Sequence, residues 1–147
     1  MDNIKKSKDK DFEFRLADIV THSFYYTNIS KKIKKSIQDN TIMKVNYGMN
    51  TNIKKNTVEF LLGFFINDKI SKNELCKIEI GFIFNIVDLE KFIINDKFIS
   101  NQIPIQLASV SYSTFRGMVY EKLSGTSLNS LPPMPIINPT KLLSPEK

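Results

Sequence analysis

Apolar and polar residues alternate in three long rows. Met43, Val45, Tyr47 and Met49 are interleaved with Lys44, Asn46, Gly48 and Asn50, and Val58, Phe60, Leu62, Phe64 and Ile66 form a second row. In LCKIEIGFIFNI, residues 75–86, every even position is apolar: Cys76, Ile78, Ile80, Phe82, Phe84 and Ile86. A period of two puts such residues on one face of a strand, so three half-buried strands are predicted. A first strand opens earlier with Phe12, Phe14 and Leu16 and continues irregularly through Asp18-Ile19-Val20 to Phe24. Turn residues at Asn50-Thr51-Asn52 and Asn67-Asp68-Lys69 separate the later strands. Short connections make consecutive strands neighbours, which predicts a four-stranded antiparallel meander. The stretch 75–86 poses a question of its own. Its odd positions mix Leu75 and Ile83 with Lys77, Glu79 and Asn85, and Gly81 stands in mid-strand, where it marks a close approach.

After Ile86 the period changes. Asp88 is placed to cap a short helix through DLEKFII. Pro104 suits the first turn of a longer helix, with Ser100, Asn101 or Gln102 as its cap and Gly125 as its stop. Leu107, Ala108, Phe115, Met118, Val119 and Lys122 fall on one face of it. On another line, Ser109, Ser113 and Gly117 lie four apart, a bare seam for an oligomer interface or simply a wet face. The fold class is therefore α+β, with a short and a long C-terminal helix packed on one face of the sheet. Residues 1–10 read as a loose, charged arm, 11–143 as a single domain and 144–147 as a disordered end. Residues 27–40, with Ile29, Ile33 and Ile37 at spacing four, read as a short helix or a basic loop. The tail LPPMPIINPTKLLSPEK holds five of the six prolines and should run extended, pinned by a few apolar contacts.

Composition narrows the function. The longest apolar run, FLLGFFI at 60–66, falls far short of the ~20 residues that cross a bilayer, and the N-terminus lacks a secretory apolar core, so no membrane insertion is expected. One cysteine forms no internal disulfide, which fits a reducing, cytoplasmic setting. The formal charge of +6 invites nucleic acid, yet only Arg15 and Arg116 supply the bidentate fork that phosphates and bases favour, which argues against it. One histidine and one cysteine give no metal constellation, and no glycine-rich phosphate loop is present, so no cofactor and no enzyme activity are expected. Cys76 lies on an apolar strand face and reads as core rather than nucleophile. His22 has no evident catalytic partner.

The order of elements, with Ser23-Phe24, Leu75-Cys76, Gly81, Ile83, Phe84, Ile86, Arg116, Leu131-Pro132-Pro133 and Ile137-Asn138-Pro139, resembles the SecB family of preprotein-export chaperones over residues 11–143. The stretch SYSTFRGMVYEKLSGTSL is more similar to the divergent SecB-like branch, since Ser113-Thr114 stand where export members carry Pro-Tyr before the helix arginine. The resemblance implies an ATP-independent holdase, assembled as a dimer of dimers, that wraps non-native chains in apolar grooves. Flexible methionine and aromatic side chains suit varied clients. Phe24, Tyr25, Tyr26, Met43, Val45, Tyr47 and Met49 are candidate client contacts, or equally sheet core and subunit interface.

Export members are acidic and dock the SecA motor through carboxylates on the outer sheet face. The corresponding positions here are Thr21, Tyr25 and Lys77, with Leu75 beside them. Two negative charges are lost and one is reversed, so a cationic partner would be repelled and SecA docking in the usual way is not expected. The family also includes chaperones that hold an aggregation-prone antitoxin, and a basic surface suits an acidic client. A dedicated antitoxin client is the first expectation and preprotein export the alternative. A nucleic-acid module and an adaptor for one folded partner are the readings from other classes.

Overall fold

The computed structural model describes residues 12–27, 41–126, 128, 134 and 138–143. The expected arm (1–10), the stretch 28–40, Leu131-Pro132-Pro133, Ile137 and the last four residues lie outside them. Four long strands form the sheet: β1 (Phe14–Tyr26), β2 (Thr41–Asn52), β3 (Thr57–Asp68) and β4 (Glu74–Ile86). A 3-10 turn over Leu89–Phe92 and a small hairpin, β5 (Ile93–Ile94) with β6 (Lys97–Phe98), lead into the long helix α1 (Gln102–Leu123). A single turn, α2 (Pro139–Leu142), closes the described chain against α1. The α+β class and the long helix on one face of an antiparallel sheet are as the sequence predicts, whereas the short helix expected through DLEKFII is a 3-10 turn running into a strand, and the tail expected to run extended makes a helical turn at 139–142.

The meander holds for three strands only. The spatial order is β1-β4-β3-β2, with every pair antiparallel, so β1 joins the far side of β4 instead of β2. This is the Greek-key arrangement, in which one strand returns by a long connection beside a three-strand meander. The physical reason lies in which strands can tolerate an edge. β3 and β4 are the most apolar and gain most from a neighbour on both sides, whereas β2 alternates with Lys44, Asn46 and Asn50. Fourteen residues, 27–40, link β1 to β2, and about 45 Å of extended reach easily exceeds the ~14 Å across three strand spacings.

Turns and caps differ in detail. β2 runs on to Asn52, and the turn is 53–56, where Asn56 takes a left-handed φ of 54° and its amide donates to the Ile53 carbonyl at 3.2 Å. Asp68 organises the next turn by accepting from the amides of Ile70 (2.8 Å) and Ser71 (2.9 Å), which hold its carboxyl below the ordinary value. Asp88 adopts a left-handed φ of 54° and makes no side-chain cap; its carboxylate pairs with Lys91 at 2.9 Å. Asn101 occupies the cap position of α1 without a side-chain bond, and Ser100 Oγ accepts from the Gln102 amide instead.

The core is the even face of β3 and β4 beneath α1. Val58, Phe60 and Ile66 on β3, and all six even residues from Cys76 to Ile86, are wholly buried. From α1, Leu107, Ala108, Phe115 and Val119 meet them, together with Ser111 and Tyr112. Cys76 sits in this layer, where burial pushes its thiol up to about 12 and leaves it protonated and unreactive.

Candidate functional site: an open apolar row beside the helix

The register of β1 decides what this strand presents. Phe14 pairs with Ile86 and Leu16 with Phe84; then a bulge at Ala17 shifts the register, so that Asp18 meets Ile83 and Ile19 meets Phe82. A second bulge at His22 sets Thr21 opposite Ile80 but Phe24 opposite Ile78. Residues directly opposite share a face. Phe14, Leu16, Ile19, Thr21, Phe24 and Tyr26 therefore all lie on the helix side, despite spacings of two, three, two, three and two. An extra residue in one strand flips the alternation, and two flips restore it.

α1 packs over β3 and β4, and the β1 row lies beyond its cover. Leu16, Ile19, Phe24 and Tyr26 keep 37–42% exposure, whereas their neighbours across on β4 keep none. At the start of the strand, Phe14 is closed off by Phe12 (ring centroids 5.6 Å apart) and Phe84 (5.9 Å). The open part thus begins at Leu16 and ends with the tilted Phe24–Tyr26 pair, 5.8 Å between rings. From Leu16 to Phe24 the partner strand advances from Phe84 to Ile78, a length of about 20 Å. Above Phe24, Lys122 of α1 holds its ammonium 4.9 Å from the ring centroid.

The candidate client contacts do not form one surface. Phe24 and Tyr26 belong to the row, but Tyr25 pairs with Lys77 on the outer face and bonds Thr27 Oγ1 through its hydroxyl at 2.7 Å. Met43, Val45, Tyr47 and Met49 share the helix side at the opposite sheet edge, where the three aliphatic residues pack against the core and Tyr47 stacks on Phe60 at 5.9 Å. The returning tail comes to that edge: Leu143 packs on the core, Tyr47 donates to its carbonyl at 3.5 Å, and Arg116 Nε donates to the carbonyl of buried Met134 at 3.0 Å. Leu16 and Ile19 complete the β1 row; the pattern places both in the first strand but not on this surface. Only the pairing partners reveal them, because bulges leave no local sequence mark.

The positions aligned with the SecA-docking acids are also divided. Tyr25 and Lys77 lie on the outer face, Thr21, opposite Ile80, lies on the helix side, and Leu75, the extra residue at a register shift, packs against the core. Lys77 pairs with Glu79 at 3.5 Å and stands 6.0 Å above the Phe65 ring. That ring folds over Gly63, whose missing Cβ would otherwise lie 2.7 Å from it. Phe65, Leu61 and Ile83 are half-buried on this face, which is open to water. Gly81 serves a comparable purpose. Above it, His22 Nε2 and Glu59 Oε1 meet at 2.6 Å, tying β1 to β3 across β4, and a Cβ on Gly81 would strike both groups. His22 and Glu59, with Asn46 and Asn50, line a shallow depression of about 510 Å³.

The backbone of Gly81 has no left-handed φ, so alanine fits its conformation. Gly81→Ala is expected to alter stability by less than about 1 kcal/mol, because the rigidity gained offsets the loss of a part-exposed pair. In a His22→Ala/Glu59→Ala background the obstacle is gone, and the same change should stabilise by about 0.4–1 kcal/mol. Urea titration of the four proteins checks this; equal effects in both backgrounds would show that the pair does not sit where Gly81 leaves room.

On α1, Ser113 and Gly117 are exposed, Ser109 is half-buried with its hydroxyl donating to the Ile105 carbonyl, and a Cβ on Gly117 would meet nothing within 4 Å. Val110 and Tyr120 (73% exposed) flank this seam. Among the described residues, no helix of the protomer fills it. None of their His, Cys, Asp and Glu side chains cluster as a metal site, and no helix is long and apolar enough to cross a membrane.

Comparison with solved structures finds the same fold in the Mycobacterium tuberculosis Rv1957 SecB-like chaperone in complex with a ChAD peptide from the Rv1956 HigA1 antitoxin. The TM-score is 0.52 at 13% identity, covering 91% of this chain and 93% of that one. A Streptococcus agalactiae protein of unknown function is similar at TM-score 0.44 and 15% identity, over 78% and 90% of the two chains. No family model and no curated protein sequence matches.

Proposed function

We propose that this chain, whose fold is SecB-like, is an ATP-independent holdase that binds non-native polypeptide, with a dedicated antitoxin as its client. The observation that carries this reading is the β1 row: four large apolar side chains in line, each 37–42% exposed beside a fully buried core. Apolar surface in a line of this kind marks an interaction site. An extended client strand lays its side chains along such a row with the same spacing. The likeness to a chaperone that holds an antitoxin peptide supports a client of that kind over preprotein export. So does a chain charge of +6, together with Lys77 where export members carry an acid. Self-association fits the unfilled Ser109–Ser113–Gly117 seam, which lets a second helix approach closely and would build the dimer of dimers. The activity is binding without bond chemistry, in the cytoplasm, and needs no cofactor.

The test is a light-scattering assay in which an unfolded protein is diluted with and without the purified chain. Aggregation should be suppressed at near-stoichiometric ratios and equally well without ATP. If the chain stays monomeric and scattering rises unchanged, the reading is wrong. Tight binding to one folded partner, with none to unfolded chains, would show an adaptor instead.

A further inference from the structure

The Phe24 end of the β1 row differs from the rest in charge. Its members Leu16, Ile19, Thr21, Phe24 and Tyr26 carry no ionised group, and Lys122 stands over Phe24 alone. His22 pairs with Glu59, Lys77 with Glu79 and Lys91 with Asp88, and among the described residues none of these carboxylates is shared with Lys122. Glu74, two residues before Cys76, pairs with Asn67 across a register shift, which puts it on the outer face with Asn67 and not beside Phe24. An ammonium resting on a half-exposed ring is held weakly and can be drawn off by a better partner. While there, it covers the ring face that an apolar side chain would use.

Resting on the holdase reading, we infer that the segment taken by this row is an apolar stretch of about six residues, matching the ~20 Å from Leu16 to Phe24, with a carboxylate at the end that meets Phe24. The carboxylate draws Lys122 off the ring into an ion pair, and the uncovered ring receives the neighbouring apolar side chain. Charge and apolar recognition are thereby coupled at one residue. A carboxylate in the middle of the segment would lie against Ile19 with no cation to meet it, and its desolvation would count against binding. Lys122 is thus a specificity-determining residue that selects acidic-ended clients for a basic chaperone.

The test uses labelled peptides of one apolar composition, with a single Asp at the N-terminal end, at the C-terminal end or in the middle, and matched Asn and Lys versions, read by fluorescence anisotropy at low salt. One end-Asp peptide should bind about two- to five-fold tighter than its Asn version, the span one exposed ion pair supplies, and the mid-Asp peptide should bind more weakly than either. Lys122→Met should remove the preference and Lys122→Glu should turn it toward the Lys peptide. Equal binding of end-Asp and end-Asn peptides, or a preference undiminished in Lys122→Met, would overturn the inference. With aggregation still suppressed, either result leaves the holdase reading standing. If no peptide binds and aggregation is not slowed, both fail.

Discussion

Replacing Leu16, Ile19 and Phe24 together by serine should abolish client binding, at a moderate cost to the fold. Each side chain has about two-fifths of its surface open, so covering it with a client is worth roughly 0.6–1.2 kcal/mol, a fraction of the ~1.5–3 kcal/mol for full burial. Three such contacts amount to about 2–3.5 kcal/mol, or a loss of roughly 30- to 300-fold in affinity. About three-fifths of each side chain is already covered within the protomer, so the same scale puts the cost to the fold at roughly 0.9–1.8 kcal/mol per residue, less at each site than for a core substitution. Aggregation suppression read beside urea unfolding separates the two. A variant that unfolds early and loses activity in proportion would show that the row is structural. One that keeps full activity would place the client elsewhere, with the Met43–Met49 edge next in line.

Phe115→Ala should give the largest loss of stability. Phe115 is wholly buried where α1 meets the even face of β3 and β4, a layer that includes Phe60, Phe82 and Phe84. Removing a ring from such a layer costs about 3–5 kcal/mol in lost transfer energy and residual cavity, against a total of about 5–15 kcal/mol for a typical domain. Denaturant midpoints taken at several protein concentrations keep assembly from masking the change. A cost below about 1 kcal/mol would mean that the helix does not rest on the sheet through this residue. Because α1 carries both Lys122 and the Ser109–Ser113–Gly117 seam, loosening it should disturb client preference and self-association together.

The four strands (the first only as an irregular run), the long helix and the core were legible from the chain because they depend on local periodicity. Even residues of β3 and β4 must share a face in any register, and that face is so apolar that only burial suits it. The helix was equally plain, with Leu107, Phe115 and Val119 turning every three or four residues onto one side. The turn at 53–56 was placed three residues early, since Asn50 and Asn52 have turn chemistry yet pair in β2 with Glu59 and Thr57. Cross-strand pairing outweighed local propensity there.

The candidate site was legible only in fragments. Phe24 and Tyr26 stood out as candidate client contacts, but Tyr25 between them faces the other way, and Leu16 and Ile19 read only as members of an irregular first strand. By itself the sequence determined the fold class, the buried layer, and the lack of nucleotide-loop and metal motifs, because each follows from residue type and short-range spacing. Tertiary structure alone decided that β1 joins β4 and not β2. It also decided that bulges at Ala17 and His22 bring six residues to one side, that Lys122 covers Phe24, and that Gly81 makes room for His22 and Glu59. Each of these rests on pairing between residues far apart in the chain, where a shift of one position reverses a side chain's face. Periodicity within a strand carries no record of that shift.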